Sequence, residues 1–297
     1  MKNITALLQL GAFIVLVAAS STATYAANDR GFFWKISHQQ STVYLFGSIH
    51  LANSSFYPLR DNMLAAFDQS DALVVEVNLN DDNIREAQRW LSVHGRYPAG
   101  QNIRQDLSAE TYAQLSDYLS QQGLAVGNYH HQKPGLLVTA ISRLKMIQLG
   151  LSPDYGLDMF FLQRAKKQQK NILQLETFKQ QLQMLIEMPN PDLLVRQTLS
   201  QMSSLHLSID QLIRAWKSGD EKKLNQLIAE DELAKHPEFA PIFDRLFSQR
   251  NIAMAHQITT YLKQPNRYFV VVGAGHLVGT GSIIDLLNKR GFQAERL

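Results

Sequence analysis

Cysteine is absent from all 297 residues, which excludes disulfides, a lipid-modified cysteine and thiolate metal ligands together. Any metal must therefore be held by His, Asp, Glu or water. Charge is modest, with 19 % Asp, Glu, Lys and Arg, and the chain lacks the basic stripe of a nucleic-acid-binding protein. The cluster Arg164-Ala165-Lys166-Lys167 reads instead as the solvated C-terminal end of a helix, where cations suit the helix dipole. Also missing are a Gly-x-Ser-x-Gly elbow, a P-loop and a His-Glu-x-x-His helix, which argues against serine hydrolases, nucleotide enzymes and zincins.

Long apolar runs are scarce as well. The one present spans about Ala6 to Ala19, follows Lys2, and leads through small and polar residues to Thr24-Tyr25-Ala26-Ala27. Basic start, apolar core and small-residue site in that order predict a secretory signal peptide over residues 1–26. Its core is short of the roughly 20 residues that cross a membrane. The mature chain is expected in the periplasm or secreted, with no membrane span after cleavage. Without Lys2 the 29 basic side chains become 28 against 26 acidic, a net +2 with neutral His.

What is present is 45 % hydrophobic residues, ample for a sizeable core. Phe32 to Ile36 and Thr42 to Phe46 read as a hairpin around His38-Gln39-Gln40-Ser41. Pro58-Leu59 opens a helical pattern through Phe67, and Ala72 to Val77 is the next strand. Strand, helix, strand begins an α/β layer. From about Asp81 to Gln169 the pattern is mostly helical, with Ser108 as a cap, Pro134 opening one helix, and a further helix over Leu157 to Lys167. Asn171 to Leu175 is a short strand. A long helical block follows over about 177–263, interrupted at Pro189, Pro191, Pro237 and Pro241. Tyr268 to Val272 is a β-branched strand, and Gly281 to Lys289 a closing helix. The fold class expected is α/β leaning to α+β: a central mixed sheet with functional residues at strand C-terminal ends, and a large helical excursion.

Gly47-Ser48-Ile49-His50 and Gly273-Ala274-Gly275-His276 repeat one Gly-x-x-His element, each behind a strand. Spacing alone is weak, since 16 Gly and 9 His give about 0.5 chance occurrences. Gly127-Asn128-Tyr129-His130, in a polar loop, is such a match and reads as a solvated loop histidine. Position is stronger. His50, Glu76, Glu176 and His276 all fall at or just past the end of a predicted strand, where α/β sheets bind ligands. Gly47, Gly273 and Gly275 would allow positive φ and close approach there.

Two histidines and a carboxylate suffice to hold a catalytic divalent cation with open positions. Such a cation lowers the pKa of bound water and makes hydroxide available for hydrolysis. Glu176 is then open as ligand, as partner of a ligand, or as general base. A purely structural reading has the histidines capping strand ends and the glutamates pairing with arginines. Arg250 suits either a carboxylate partner or a transition-state clamp. Asp158 suits binding a substrate, orienting a ligand or complementing a helix dipole, and Asn251 suits substrate contact or an N-cap before Ile252, Ala255 and Ile258. His256 reads as a structural histidine.

Jointly, Tyr44-Leu45-Phe46-Gly47-Ser48-Ile49-His50, the Pro58-Leu59 helix, Ser70 to Glu76, Tyr155-Gly156-Leu157-Asp158, Leu175-Glu176-Thr177, Arg250-Asn251 and Val272 to Gly279 resemble the TraB/GumN family. Its relatives include the Tiki-like metalloproteases and, more distantly, erythromycin-esterase-like proteins. The resemblance implies a single TraB/GumN-like domain over residues 27–297 and a metal-dependent hydrolase, peptidase-like, acting on a peptide or small molecule. It places the metal on His50, Glu76 and His276, with Ser48 standing where many members have Thr. Mn²⁺ and Co²⁺ follow from the Tiki-like branch, and Zn²⁺ from the donor set. Glu76, Glu176 and Arg250 are the expected catalytic residues, and Asp158 and Asn251 the expected substrate contacts. The competing class is a non-catalytic periplasmic peptide-binding or regulatory protein that keeps the same crevice. Haem or iron held by the two histidines is a third reading.

Overall fold

The computed structural model describes residues 29–297, so the expected signal peptide lies outside the described residues. Six strands form one sheet in the order β4-β3-β5-β2-β1-β6. They are β1 (Phe33–His38), β2 (Ser41–Ser48), β3 (Ala72–Val75), β4 (Asn171–Gln174), β5 (Arg267–Gly273) and β6 (Ala294–Arg296). The hairpin β1–β2 turns at Gln39, whose φ is 51°. On the far side of β2 the pairing becomes parallel, through β5 and β3 to β4. Tyr268 to Val272 in β5 are all buried, the unbroken apolar run of a parallel strand covered on both faces.

Helices connect the parallel strands. α1 (Asp61–Asp68) joins β2 to β3. Between β3 and β4 run α2 (Asp81–His94), α3 (Ala109–Gln121), α4 (Pro134–Gln148) and α5 (Leu157–Lys167). Between β4 and β5 lie α6 (Phe178–Ile186), α7 (Pro191–Gln201), α8 (Leu205–Ser218), α9 (Glu221–Asn225), α10 (Asp231–Lys235), α11 (Ala240–Phe243) and α12 (Gln249–Tyr261). α13 (Ile283–Lys289) precedes β6. Several prolines start helices instead of breaking them: Pro134, Pro191 and Pro241 occupy first turns, where a missing N–H costs nothing. The mixed sheet and the helical excursion match the expected fold class.

The described hydrophobic residues gather in two clusters. One lies around the sheet, where Phe46, Phe67, Phe161 and Phe269 pack ring to ring, Phe161 and Phe269 with centroids 4.7 Å apart. The buried Trp216 of α8 joins them and donates its indole N–H to the Gly47 carbonyl at 2.8 Å, which ties the helical excursion to the end of β2. The second cluster is helical, built on Leu115, Leu137, Val195 and Ile242.

Candidate functional site

Because β2, β5, β3 and β4 run parallel, their C-terminal ends share one edge of the sheet. The residues that follow them cross that edge in the order His50, His276, Glu76, Glu176. Pairing continues beyond the last two strands: the Glu176 N–H donates to the Glu76 carbonyl at 2.8 Å, so the glutamates lie side by side. A Cβ placed on Gly273 would sit 3.4 Å from Glu76 Oε1, 3.5 Å from His50 Nε2 and 3.6 Å from His276 Cδ2. The two motifs and the first glutamate therefore meet at one point.

Both imidazoles are held from behind. His50 Nδ1 lies 3.0 Å from Asp158 Oδ1. Asp158 reaches it from the first turn of α5, which packs on the His50 segment through a bond from Leu157 N–H to the Ile49 carbonyl at 3.1 Å. Gly156 is required there, because a Cβ would lie 2.4 Å from the His50 carbonyl oxygen. His276 Nδ1 lies 2.6 Å from Asn251 Oδ1, while Asn251 Nδ2 donates to the Gly281 carbonyl at 3.0 Å. A flipped amide would face that carbonyl with a second acceptor, so Oδ1 belongs to the histidine and Nδ1 carries the proton. His276 Nε2 is left with a lone pair. It stands 3.9 Å from Glu76 Oε1, and neither atom of that pair brings a proton to the other.

The carboxylates are fixed just as firmly. Glu76 Oε1 accepts the Gly273 N–H at 2.7 Å, and Oε2 accepts from Arg250 Nη2 at 2.6 Å and Gln181 Nε2 at 3.2 Å. Glu176 accepts from Arg250 Nε at 2.9 Å, Arg250 Nη2 at 2.7 Å and Gln181 Nε2 at 2.9 Å. One guanidinium thus bridges two buried carboxylates, and the pair keeps an excess negative charge.

The electrostatics follow. Burial works against the Glu76 charge, but the charges of His276 when protonated, of His50 and of Arg250, with the Gly273 N–H, outweigh it and hold the carboxyl at about 2. Burial pulls His276 down to about 4, against the attraction of Glu76, so the ring is neutral at neutral pH. Packing alone would lower His50 too. The hydrogen bond and charge of Asp158 and the charge of Glu76 prevail and lift it to about 9. Without a metal ion, a proton on His50 supplies positive charge that the site calls for.

The donor set suits a divalent cation: neutral imidazole, a second imidazole and a carboxylate, each with a partner on its other face. Among the described residues no three His, Asp or Glu side chains already form a closed metal-holding group. The separation of 3.9 Å between His276 Nε2 and Glu76 Oε1 is nevertheless within one ion's span, since two donors each about 2.1 Å from zinc lie at most about 4.2 Å apart.

Several expectations are corrected. Gly47, Gly273 and Gly275 are not among the glycines at positive φ, and Gly273 has φ −53°, so close approach is their role. Asn251 is no N-cap, since it lies inside α12. On that helix Met254, Ala255 and Ile258 are buried, whereas Ile252 and His256 are exposed. His130 is not simply solvated, because it bonds the Tyr112 hydroxyl. Asp158 and Asn251 sit behind the histidines, and Glu176 and Arg250 behind Glu76. Gln181 has no sequence signal beyond its place one residue past the Thr177-x-x-Gln180 capping box.

The chain is 27 % identical over 246 residues to the uncharacterized protein YbaP of Escherichia coli (strain K12), across 82 % of this chain and 87 % of that one. It is 24 % identical over 326 residues to metalloprotease TIKI1 of Danio rerio, across 92 % of this chain and 64 % of that one. Against metalloprotease TIKI1 of Homo sapiens the identity is 23 % over 316 residues, across 89 % of this chain and 61 % of that one. The chain thus spans less than two thirds of either metalloprotease. No solved structure matches it. The TraB/PrgY/gumN family matches residues 32–296, nearly everything the structure describes, and the chain belongs to that family.

Proposed function

We propose that the protein is an exported metal-dependent hydrolase, peptidase-like, whose cation is held by His50, Glu76 and His276. The observation that carries this reading is the meeting, at Gly273, of two imidazole rings and a carboxylate oxygen, with an unprotonated His276 Nε2 facing that oxygen. The similarity to metalloproteases supports it. Export is supported by the order of charge, apolar core and small residues in the leader. A bound Mn²⁺, Co²⁺ or Zn²⁺ would supply Lewis acidity and a water of lowered pKa.

The chain's own residues do the rest. Asp158 and Asn251 fix the ring orientations of the histidines, which sets where both Nε2 atoms point. Arg250 and Gln181 hold Glu76 with one oxygen toward the histidines. Glu176, tied at both oxygens, shares the Arg250 charge and positions it. Arg250 also borders the adjoining cavity, where its charge can stabilise an oxyanion developing on a bound carbonyl.

The test is turnover of a fluorogenic peptide library by full-length mature protein, with and without chelator and with each cation restored. Hydrolysis that needs the metal and is lost in folded His50→Ala and His276→Ala is expected. Hydrolysis indifferent to chelation, or capture of peptide without any turnover, would overturn the enzymatic reading.

A further inference from the structure

Beside the histidines opens a cavity of about 450 Å³, a size typical of sites that engulf a ligand. Ser48, His50, Arg250 and His276 border it; the wall beyond them is apolar, including Met146, Leu212, Ile213, Ile228, Leu246 and Phe247. These six are only partly buried, so the chamber opens to solvent with its apolar surface uncovered. Three of them stand on rare wide turns: Ile228 in the π-helical segment Gln226–Glu230, and Leu246 and Phe247 in the π-helical segment Asp244–Ser248. Such turns concentrate at functional sites. The Phe247 ring lies 5.2 Å from the His276 ring, so the apolar wall and the polar cluster are continuous.

One polar atom in the chamber is out of place. Ser48 is 2 % exposed, and its hydroxyl has no hydrogen-bond partner. Buried hydroxyls are almost always paired, and an unpaired one is a cost to the folded protein. The residue follows Gly47 at the end of β2 and borders the cavity. A ligand entering the chamber can supply the missing partner.

We infer that this chamber is the specificity pocket of the proposed peptidase: it takes an apolar stretch of peptide beside the histidine cluster, and the Ser48 hydroxyl hydrogen-bonds that peptide's backbone. The inference rests on the hydrolase reading for the choice of peptide over another apolar ligand. The chemistry of the lining carries the rest. No carboxylate and no lysine borders the chamber, so basic side chains find no partner there; beyond Arg250 and the histidines the apolar wall offers acidic and small polar ones nothing to bond, while large apolar ones are desolvated.

Calorimetric binding to full-length mature protein in EDTA, which prevents consumption of the peptide, separates this inference from catalysis. The probes are acetyl-Leu-Leu-amide, acetyl-Phe-Leu-amide, acetyl-Gly-Gly-amide, acetyl-Asp-Asp-amide and dodecanoylglycine. The two apolar peptides should bind at least about 10-fold more tightly than the Gly and Asp peptides, the discrimination that a hydrophobic pocket commonly gives. Leu212→Asp should abolish that preference without changing manganese uptake. Ser48→Ala should weaken apolar-peptide binding about 3- to 10-fold, the worth of one hydrogen bond, yet leave thermal stability equal or higher. Ser48→Thr should restore binding.

Equal affinities for all peptides, no binding of any, or binding of dodecanoylglycine alone would each overturn the inference. So would a preference that survives Leu212→Asp. Turnover measured separately keeps the two ideas distinct. Apolar preference without hydrolysis sinks the enzyme and spares the pocket, while hydrolysis without preference does the reverse.

Discussion

Gly273 is where the account is most exposed to a single substitution. Its φ of −53° and ψ of 135° suit any residue, and the nearest atoms to an added Cβ, at 3.4 to 3.6 Å, are at ordinary contact distance. Gly273→Ala should therefore change stability by less than about 1 kcal/mol, yet place a methyl group where the two histidines and Glu76 meet. Calorimetry should find the fold intact and manganese binding lost; undiminished binding would mean that the cation sits elsewhere. Glu76 gives a pH signature. Its folded pKa, about 2, lies below the ordinary 4.5, so the stability it contributes is present above about pH 4.5 and is lost as pH falls towards 2. Urea unfolding in chelator between pH 6 and pH 3 should show a smaller loss for Glu76→Gln than for the native chain, and parallel curves would contradict the assignment. Arg250→Lys keeps the charge but cannot bridge two carboxylates with one fork. Loss of a residue that orients a metal ligand commonly weakens metal affinity about 10- to 100-fold, and a titration showing no change would remove Arg250 from the positioning role. His50, Glu76, Glu176 and His276 were legible in the sequence because ionisable residues at strand ends stand out. Gln181 and Ser48 were not, since a neutral side chain announces itself only through the partner it has or lacks.

Among the elements, α6 links local sequence to the site. Thr177 and Gln180 form a reciprocal capping box at its start, and Gln181 follows immediately with its amide between Glu76 and Glu176. Thr177→Ala should cost about 1 kcal/mol by denaturant unfolding and increase hydrogen exchange in the first turn of α6. An unchanged exchange rate there would show that the box does not hold the turn. The strands β2, β3, β4 and β5 and the proline-started α4 were readable, because apolar runs and first-turn prolines are strong local signals. β6 was not, as three residues paired only to β1 carry no periodic pattern. The π-helical segments were equally hidden. Their apolar spacing differs too little from an α-helix to be seen without the backbone.

At the scale of the whole molecule, the order of the strands decides the chemistry. Parallel pairing of β2, β5, β3 and β4 carries residues from both ends of the chain to one edge, and that pairing is a long-range outcome that spacing could suggest but not determine. Among the described residues no helix is long and apolar enough to cross a membrane. The central claim, that one divalent cation is shared by His50, Glu76 and His276, is tested most directly by anomalous X-ray diffraction from crystals of the mature protein grown with Mn²⁺. The predicted result is one dominant manganese peak within about 2.0 to 2.4 Å of His50 Nε2, His276 Nε2 and Glu76 Oε1. A fully occupied manganese peak held by other residues, with these three side chains left as they stand, would contradict it.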